Sequence, residues 1–264
     1  MSPAFVNRRN TKHNGRCCNQ HLLPVVLHVY YYLVMKIKML NDFLHLLFPH
    51  VCSGCGSDRV RQDSSLCLRC LAHLPETGFA GIAGNPIEKK FYGRLPLESA
   101  FSLYYFSHGS IVQQLMHEFK YKSNRDLGFQ LGCFMGHAIL ESNRVEPAAL
   151  VPLPLHPARE KKRGYNQARV LCDGIARITG WPILTNLVVR RRSTDSQTRK
   201  GRVDRWLNME GNFRLHDEAS AENRHLVLVD DVLTTGATLE ACGETLLQAR
   251  GVRLSLATLC YAWR

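Results

Sequence analysis

Leu226-Val227-Leu228-Val229-Asp230-Asp231-Val232-Leu233-Thr234-Thr235-Gly236-Ala237-Thr238 is the stretch that decides the fold. Four consecutive apolar residues with no polar alternation predict a parallel strand, Leu226 to Val229, buried on both faces. The run ends at paired acids and a Thr/Gly-rich turn. A helix follows, with Leu239, Cys242, Leu246 and Ala249 at helical spacing and Gly251 placed to stop it. Val252 to Cys260 then alternates toward a further strand. Strand, acidic tip, Thr/Gly loop, helix and strand together make a unit of an α/β fold.

In such sheets ligands bind beyond the carboxyl ends of the strands. Amides and hydroxyls from Thr234 through Thr238, at a helix N-terminus, form a receptor for a dianionic phosphate, and Gly236 lets the backbone approach it. Asp230 and Asp231 can accept hydrogen bonds from vicinal sugar hydroxyls, directly or through Mg2+, which favours oxygen ligands. The ligand implied is a ribose 5-phosphate. The competing reading is a buried strand that ends in a solvated acidic turn.

The cysteines carry a second signal. Of ten, four form the pairs Cys52-x2-Cys55 and Cys67-x2-Cys70, with eleven residues between them. Two C-x2-C knuckles complete a tetrahedron of thiolates, which suits structural zinc and leaves no open position; an iron centre or a redox dithiol are the alternatives. So small a segment cannot bury enough apolar surface alone, so the metal is expected to supply its folding energy. His50 and His73 flank the cluster, but four sulfurs suffice. Arg59, Arg61 and Arg69 are compatible with phosphate contact or with plain solvation. Cys133, Cys172, Cys242 and Cys260 sit among apolar neighbours and read as small core side chains.

Composition excludes several classes. With 264 residues, 45% hydrophobic and 21% charged, the chain can bury a core and is no disordered tail. Nineteen glycines and eleven prolines rule out a collagen-like chain. The net charge of +12 suggests an anionic partner. Yet Arg8, Arg9, Lys12, Arg16, Lys36 and Lys38, with no acid among residues 1–38, hold half of that excess, so a globally basic nucleic-acid-coating protein is not required. The absence of G-x-x-x-x-G-K-[ST], H-E-x-x-H and G-x-S-x-G leaves ATPase, zincin and serine-hydrolase readings without support. Leu22 to Met35 is apolar but broken by Pro24 and His28, and is too short to span a bilayer. No small-x-small cleavage site follows it. Translation is expected to begin at Met35 or Met39, or the leader to be a disordered extension, with an interfacial anchor as the rival.

Two further segments frame the site. Ala149 to Pro154 reads as a strand punctuated by prolines. After it comes a basic loop, Arg159-Glu160-Lys161-Lys162-Arg163-Gly164, and then a helix bearing Ala168, Leu171, Cys172, Ile175 and Ile178 that ends near Gly180. Basic residues and a glycine between strand and helix suit a pyrophosphate; a solvated basic face is the rival. A second basic stretch, Arg190 to Arg205, has little periodic apolar content and reads as a long loop, with attraction to DNA as the rival explanation of its charge. Upstream, Tyr104, Tyr105 and Phe106 belong to a strand, and Ile111, Leu115, Met116 and Phe119 form a helical stripe.

Residues 228–238 resemble the phosphoribosyl-diphosphate (PRPP) motif of type I phosphoribosyltransferases. Together with the cysteine pairs, the chain is similar to the ComF (competence protein F) or GntX-like family, in which a zinc-binding head precedes a transferase domain. The likeness covers nearly everything from about Met39 onward. It implies an α/β fold, a type I phosphoribosyltransferase-like parallel sheet flanked by helices, preceded by a small four-cysteine zinc module. The expected organisation is a leader or misassigned extension over 1–39, the module over 40–76 with Asn41 to Pro49 a short amphipathic helical turn, a connector over 77–94, and the transferase-like domain over 95–264.

By the same resemblance, the activity is Mg2+-dependent transfer of ribose 5-phosphate from PRPP to an amine-type nucleophile, through an oxocarbenium-like centre with pyrophosphate leaving. Asp230 and Asp231 would position the ribose and metal and steady the developing charge. Thr234, Thr235, Gly236, Ala237 and Thr238 would hold the 5-phosphate. Arg163-Gly164-Tyr165-Asn166-Gln167 is similar to an Arg-Gly-Phe-Asn-Gln element that faces the diphosphate. The 190–205 stretch corresponds to a loop that closes over the site, with Arg190, Gln197, Arg205 and Asn208 at family-like positions. The catalytic set implied is Asp230, Asp231, Arg163 and Arg205, while Cys52, Cys55, Cys67 and Cys70 would hold zinc. Lys120 stands where the family has a lysine, with no role assigned. The acceptor would be chosen by a hood within 95–145. Kinship points to competence, DNA uptake or DNA utilization in the cytoplasm without a stable membrane span, and to single-stranded DNA and a DNA-uptake helicase as partners. The alternative is a non-catalytic PRPP or nucleotide sensor, or a single-stranded-DNA-binding accessory protein, since fold does not fix function.

Overall fold

A strand whose side chains are apolar on both faces must be covered on both faces, and β5 (His225–Leu233) lies inside a four-stranded parallel sheet of order β1-β6-β5-β2. The computed structural model describes residues 49–190 and 213–263, with positions 30, 32, 34–37 and 39. β1 spans Ser99–Phe106, β2 Ala149–Pro152 and β6 Arg253–Ala262. Register places Val229 of β5 beside Pro152 on one side and Ala257 on the other, and Ala257 beside Phe101 of β1. β3 (Val188–Arg190) and β4 (Phe213–Leu215) form a separate antiparallel pair that joins Arg190 to Phe213. The parallel sheet flanked by helices agrees with the fold class expected from sequence.

One strand detail differs from the sequence reading, and a second follows from strand pairing. β5 continues through Asp230 and Asp231 to Leu233, so the acids sit within the strand and not at its tip. The polar alternation of β6 marks no wet face. Ser255 and Thr258 are buried, and they meet Ser99 and Ser102 of β1 through paired hydroxyls, Ser99 Oγ donating to Ser255 Oγ at 3.0 Å.

The helices follow the apolar spacing. α1 (Leu68–Ala72) carries the second cysteine pair, and α2 (Pro86–Phe91) lies in the stretch 77–94. α3 (Ile111–Tyr121) buries Val112, Leu115, Met116 and Phe119. Residues 157–163 form a two-turn helix, α5 (Pro157–Arg163), where sequence suggested a loop. Pro157 presets the first turn, His156 Nδ1 lies 3.3 Å from Ala158 N, and Gly164 ends the helix at φ 76°. α6 (Gln167–Thr179) buries Ala168, Leu171, Cys172 and Ile175 and stops at Gly180. α7 (Ala237–Leu246) ends before Gly251, which instead makes the turn into β6.

α4 (Arg125–Ser142) and α6 cross with almost no side chain between them. A methyl group on Gly132 of α4 would overlap the Leu171 carbonyl, and one on Gly174 of α6 would overlap the backbone at Phe129 and Cys133. Glycine on both helices therefore sets their distance.

The stretch 77–94, expected as a connector, is built around buried Asn85. Its Oδ1 accepts from Ile87 N at 2.8 Å, and its Nδ2 donates to Ile82 O at 2.9 Å and Ala100 O at 2.8 Å. Phe91 is fully buried, Glu88 pairs with Arg144 at 2.8 Å, and Arg94 pairs with Glu240 of α7. Val51–Arg264 form one compact unit and Met1–His50 another. Positions 30, 32, 34–37 and 39 are helical, while the remaining leader and the turn expected over 41–48 lie outside the described residues. Among the described residues no helix is long and apolar enough to cross a membrane.

Gly174→Ala should lower stability by roughly 1–3 kcal/mol, because backbone cannot yield as a side chain would. Gly81→Ala, where an added methyl meets nothing within 4 Å, should change it by less than about 0.5 kcal/mol. Urea unfolding of both variants checks the difference.

Candidate functional site

The buried half of β5 ends at Val229, and the next two residues bring carboxylates to the rim of a cavity of about 870 Å³. Successive strand residues point to opposite faces, and the two acids have different neighbours. Asp231 Oδ2 lies 3.0 Å from Lys120 Nζ of α3. Asp230 interacts with Arg190 and lies toward Cys242 of α7. Its Oδ1 accepts from Asp231 N at 2.8 Å. Both acids line the cavity, so the strand delivers two carboxyl groups to a single space.

Beyond them the chain turns through Thr234 and Thr235 into α7. Gly236 occupies the cap position at φ 85°, and a methyl there would press on the Phe91 ring. A left-handed conformation and a crowded site both require glycine. No side chain caps this helix start, and Ala237 N reaches Thr235 Oγ1 only at 3.5 Å. The leading amides of α7 are therefore open to an anion.

Opposite the acids stand cations. Arg159 and Arg163 of α5 and Arg190 of β3 line the same cavity, and Arg163 Nη1 donates to Gln167 Oε1 at 2.8 Å. Of the residues singled out from sequence, Asp230, Asp231, Thr234, Thr238, Arg163 and Arg190 come together around this space. Thr235, Gly236 and Ala237 belong to the same turn without lining it. Gly164 caps α5, and its carbonyl accepts from Arg125 Nη2 at 3.2 Å. Gln197, Arg205 and Asn208 lie outside the described residues.

Sequence reasoning gave Lys120 no role, and the fold places it on Asp231. It also missed Gln113, His117, Tyr121 and Trp263, which line the wall nearest α3 and the end of β6. No motif marks these residues, which reach the cavity from segments more than 140 residues apart in sequence.

A second constellation lies in the cysteine knuckles. The Sγ atoms of Cys52, Cys55, Cys67 and Cys70 all lie within 4.8 Å of one another. Cys67 N donates to Cys52 Sγ at 3.2 Å and Gly54 N at 3.4 Å. Burial raises the proton affinity of Cys52, but these amides and that of Cys55 outweigh it and bring the thiol down to about 6. Four converging sulfurs, one already receiving amide hydrogens as a thiolate does, fit a metal such as zinc. Cys172, Cys242 and Cys260 are fully buried core side chains, as their apolar surroundings suggest, while Cys133 is partly exposed.

Comparison with known proteins agrees with this geometry. Residues 166–263 match the phosphoribosyl transferase domain. Competence protein F of Haemophilus influenzae is 31% identical over 213 residues, covering 78% of this chain and 81% of that protein. The chain belongs to the competence protein F family. DNA utilization protein YhgH of Escherichia coli is 28% identical over 80% of this chain and 89% of its own length. Competence protein ComFC of Bacillus subtilis is 28% identical over 54% and 56%. The domain match takes in β5, both acids and the Thr/Gly turn, whereas the cysteine knuckles lie N-terminal to it.

In this competence protein F relative, the site carries an electrostatic cost. Burial, and then the neighbouring Asp231 carboxylate, push Asp230 up to about 8, against the pull of the Asp231 amide, Lys120 and Arg163. Below the ordinary value of 3.8 the carboxyl is protonated in folded and unfolded chains alike. Between there and about 8 the unfolded chain releases the proton while the folded chain keeps it, so stability falls as pH rises. Asp230→Asn keeps an acceptor for the Asp231 amide and removes this penalty. It should raise Tm at pH 8 by the equivalent of about 1–3 kcal/mol, and by clearly less at pH 5. Thermal melts of both proteins at the two pH values check the sign.

Proposed function

We propose that the cavity binds PRPP together with Mg2+ and that the chain transfers its ribosyl 5-phosphate to a nucleophile. The observation that carries this reading is the division of charge around one space. Carboxylates stand in the second half of β5, Thr234 and Thr238 on either side of the uncapped start of α7, and guanidinium groups on α5 and β3. A sugar with vicinal hydroxyls, a terminal phosphate and a diphosphate has the matching three-part pattern.

In this reading Thr234, Thr235, Gly236, Ala237 and Thr238 receive the 5-phosphate through backbone amides and hydroxyls. Asp230 and Asp231 accept hydrogen bonds from the ribose hydroxyls and stabilise positive charge at the anomeric carbon as its bond to the diphosphate oxygen breaks. Arg163, with Arg159 and Arg190, neutralises the departing pyrophosphate. The nucleophile attacks the same carbon and gives up its proton as the new bond forms. Two carboxylates are a usual protein share of a Mg2+ site whose remaining ligands come from substrate phosphates and water, so the donor set fits that ion. When bound, Mg2+ would supply charge neutralisation at the diphosphate. The four-cysteine site would hold zinc in a structural role. From the relatives' names we infer that this chemistry serves competence or the utilization of DNA, with single-stranded DNA and a DNA-uptake helicase as partners.

Incubation with PRPP, Mg2+ and a panel of bases should release pyrophosphate with one of them. Tight PRPP binding with no release would identify a sensor instead. Asp230→Asn combined with Asp231→Asn should abolish PRPP binding in calorimetry while the zinc content stays unchanged; unaltered affinity would overturn the site. Binding to single-stranded DNA, if direct, should weaken linearly in log salt.

A further inference from the structure

A helix that borders a ligand cavity holds its side chains there only as firmly as its far side is held. α3 is such a helix: Met116, His117 and Lys120 line the cavity, and Lys120 meets Asp231. The far side meets the cysteine knuckles. Gln114 Nε2 donates to Ser53 O at 3.1 Å. Asn124, in the turn from α3 to α4, donates through Nδ2 to Ser53 Oγ at 3.2 Å. Gln130 of α4 accepts from Ser65 N at 2.8 Å and donates to Ser64 Oγ at 2.9 Å. Gly54 sits between the two bodies, where a methyl would stand 3.0 Å from both Cys70 Sγ and Ile111 Cδ1. Every one of these contacts ends on a residue between the sulfur ligands or one to three positions from them.

We infer that the four-cysteine centre is the far anchor of α3, and that by fixing this helix it positions Lys120 against Asp231. Metal bound by the four sulfurs would lock the two knuckles together. The knuckles hold Gln114, Asn124 and Gln130, and these hold α3 in register with β5. Lys120 is the positioning residue at the cavity end of this chain of contacts. It neutralises Asp231 and so sets the charge that a ligand meets. The part of this inference that concerns ligand affinity rests on the PRPP reading; the anchoring of α3 does not.

The test uses the full chain with all four cysteines, carrying Gln114→Ala and Gln130→Ala. Zinc content is read by mass spectrometry and backbone protection by amide hydrogen exchange. One zinc per chain and full protection of β5 and β6 should be retained, while exchange over 111–121 rises about fivefold or more, as expected for the loss of three hydrogen bonds. Gln114→Ala alone, which removes one exposed contact, should give a smaller rise in the same segment. PRPP affinity should fall several-fold in the double variant, and by less than about twofold when the same pair is introduced beside Lys120→Ala. Unchanged exchange over 111–121, or an equal loss of affinity in both backgrounds, would overturn the inference. If the unsubstituted chain binds no PRPP, the ligand reading falls, and the exchange measurement still decides the anchor.

Discussion

Two adjacent carboxylates in the second half of a strand whose first half is dry on both faces set the terms for the rest of this molecule. Leu226 to Val229 have no water to share with Asp230 and Asp231, so the charge must be stabilised by groups the fold brings in. Lys120 arrives from α3, Arg163 from α5 and Arg190 from β3, and the open amides of α7 begin a few residues downstream. None of these neutralises Asp230 fully, and its proton affinity stays high. A buried carboxyl kept protonated in this way makes the fold less stable as pH rises toward 8.

The supporting structure is rigid where the site needs it. Glycines bring α4 and α6 to backbone contact, which fixes α6 against β5 and β2. On the opposite flank Phe91 fills the space beside Gly236, and Arg94 grips Glu240 in the first turn of α7. The helix that brings Thr238 to the cavity is thus held from behind by the stretch 77–94. The buried Asn85 network and the Glu88–Arg144 pair give that stretch a defined shape, beyond what the short helices Phe79–Gly81 and Pro86–Phe91 alone would set.

The cysteine knuckles fit the same logic. Their loops carry hydrogen bonds into α3 and α4. Oxygen and nitrogen groups between the ligands serve neighbouring helices while the sulfurs face one another. This arrangement unites the two chemical signals of the sequence in one compact unit.

The strand Leu226–Val229, the Thr/Gly turn, the stripes of α3 and α6 and the convergence of four cysteine sulfurs were legible because each depends on spacing within a short segment. Two local readings failed for a physical reason. Pairing with β6 carried β5 on through both acids to Leu233, and Pro157 with its His156 cap turned an expected loop into a helix. The chain by itself determined which acids, threonines, arginines and cysteines were available to one site or another. Only the tertiary structure decided that Lys120 belongs to Asp231, that Arg163 and Arg190 share one cavity, and that Gly54 touches α3. Pairings across such distances in sequence leave no periodic trace, because they are fixed by how the helices pack on the sheet and not by any local preference of the backbone.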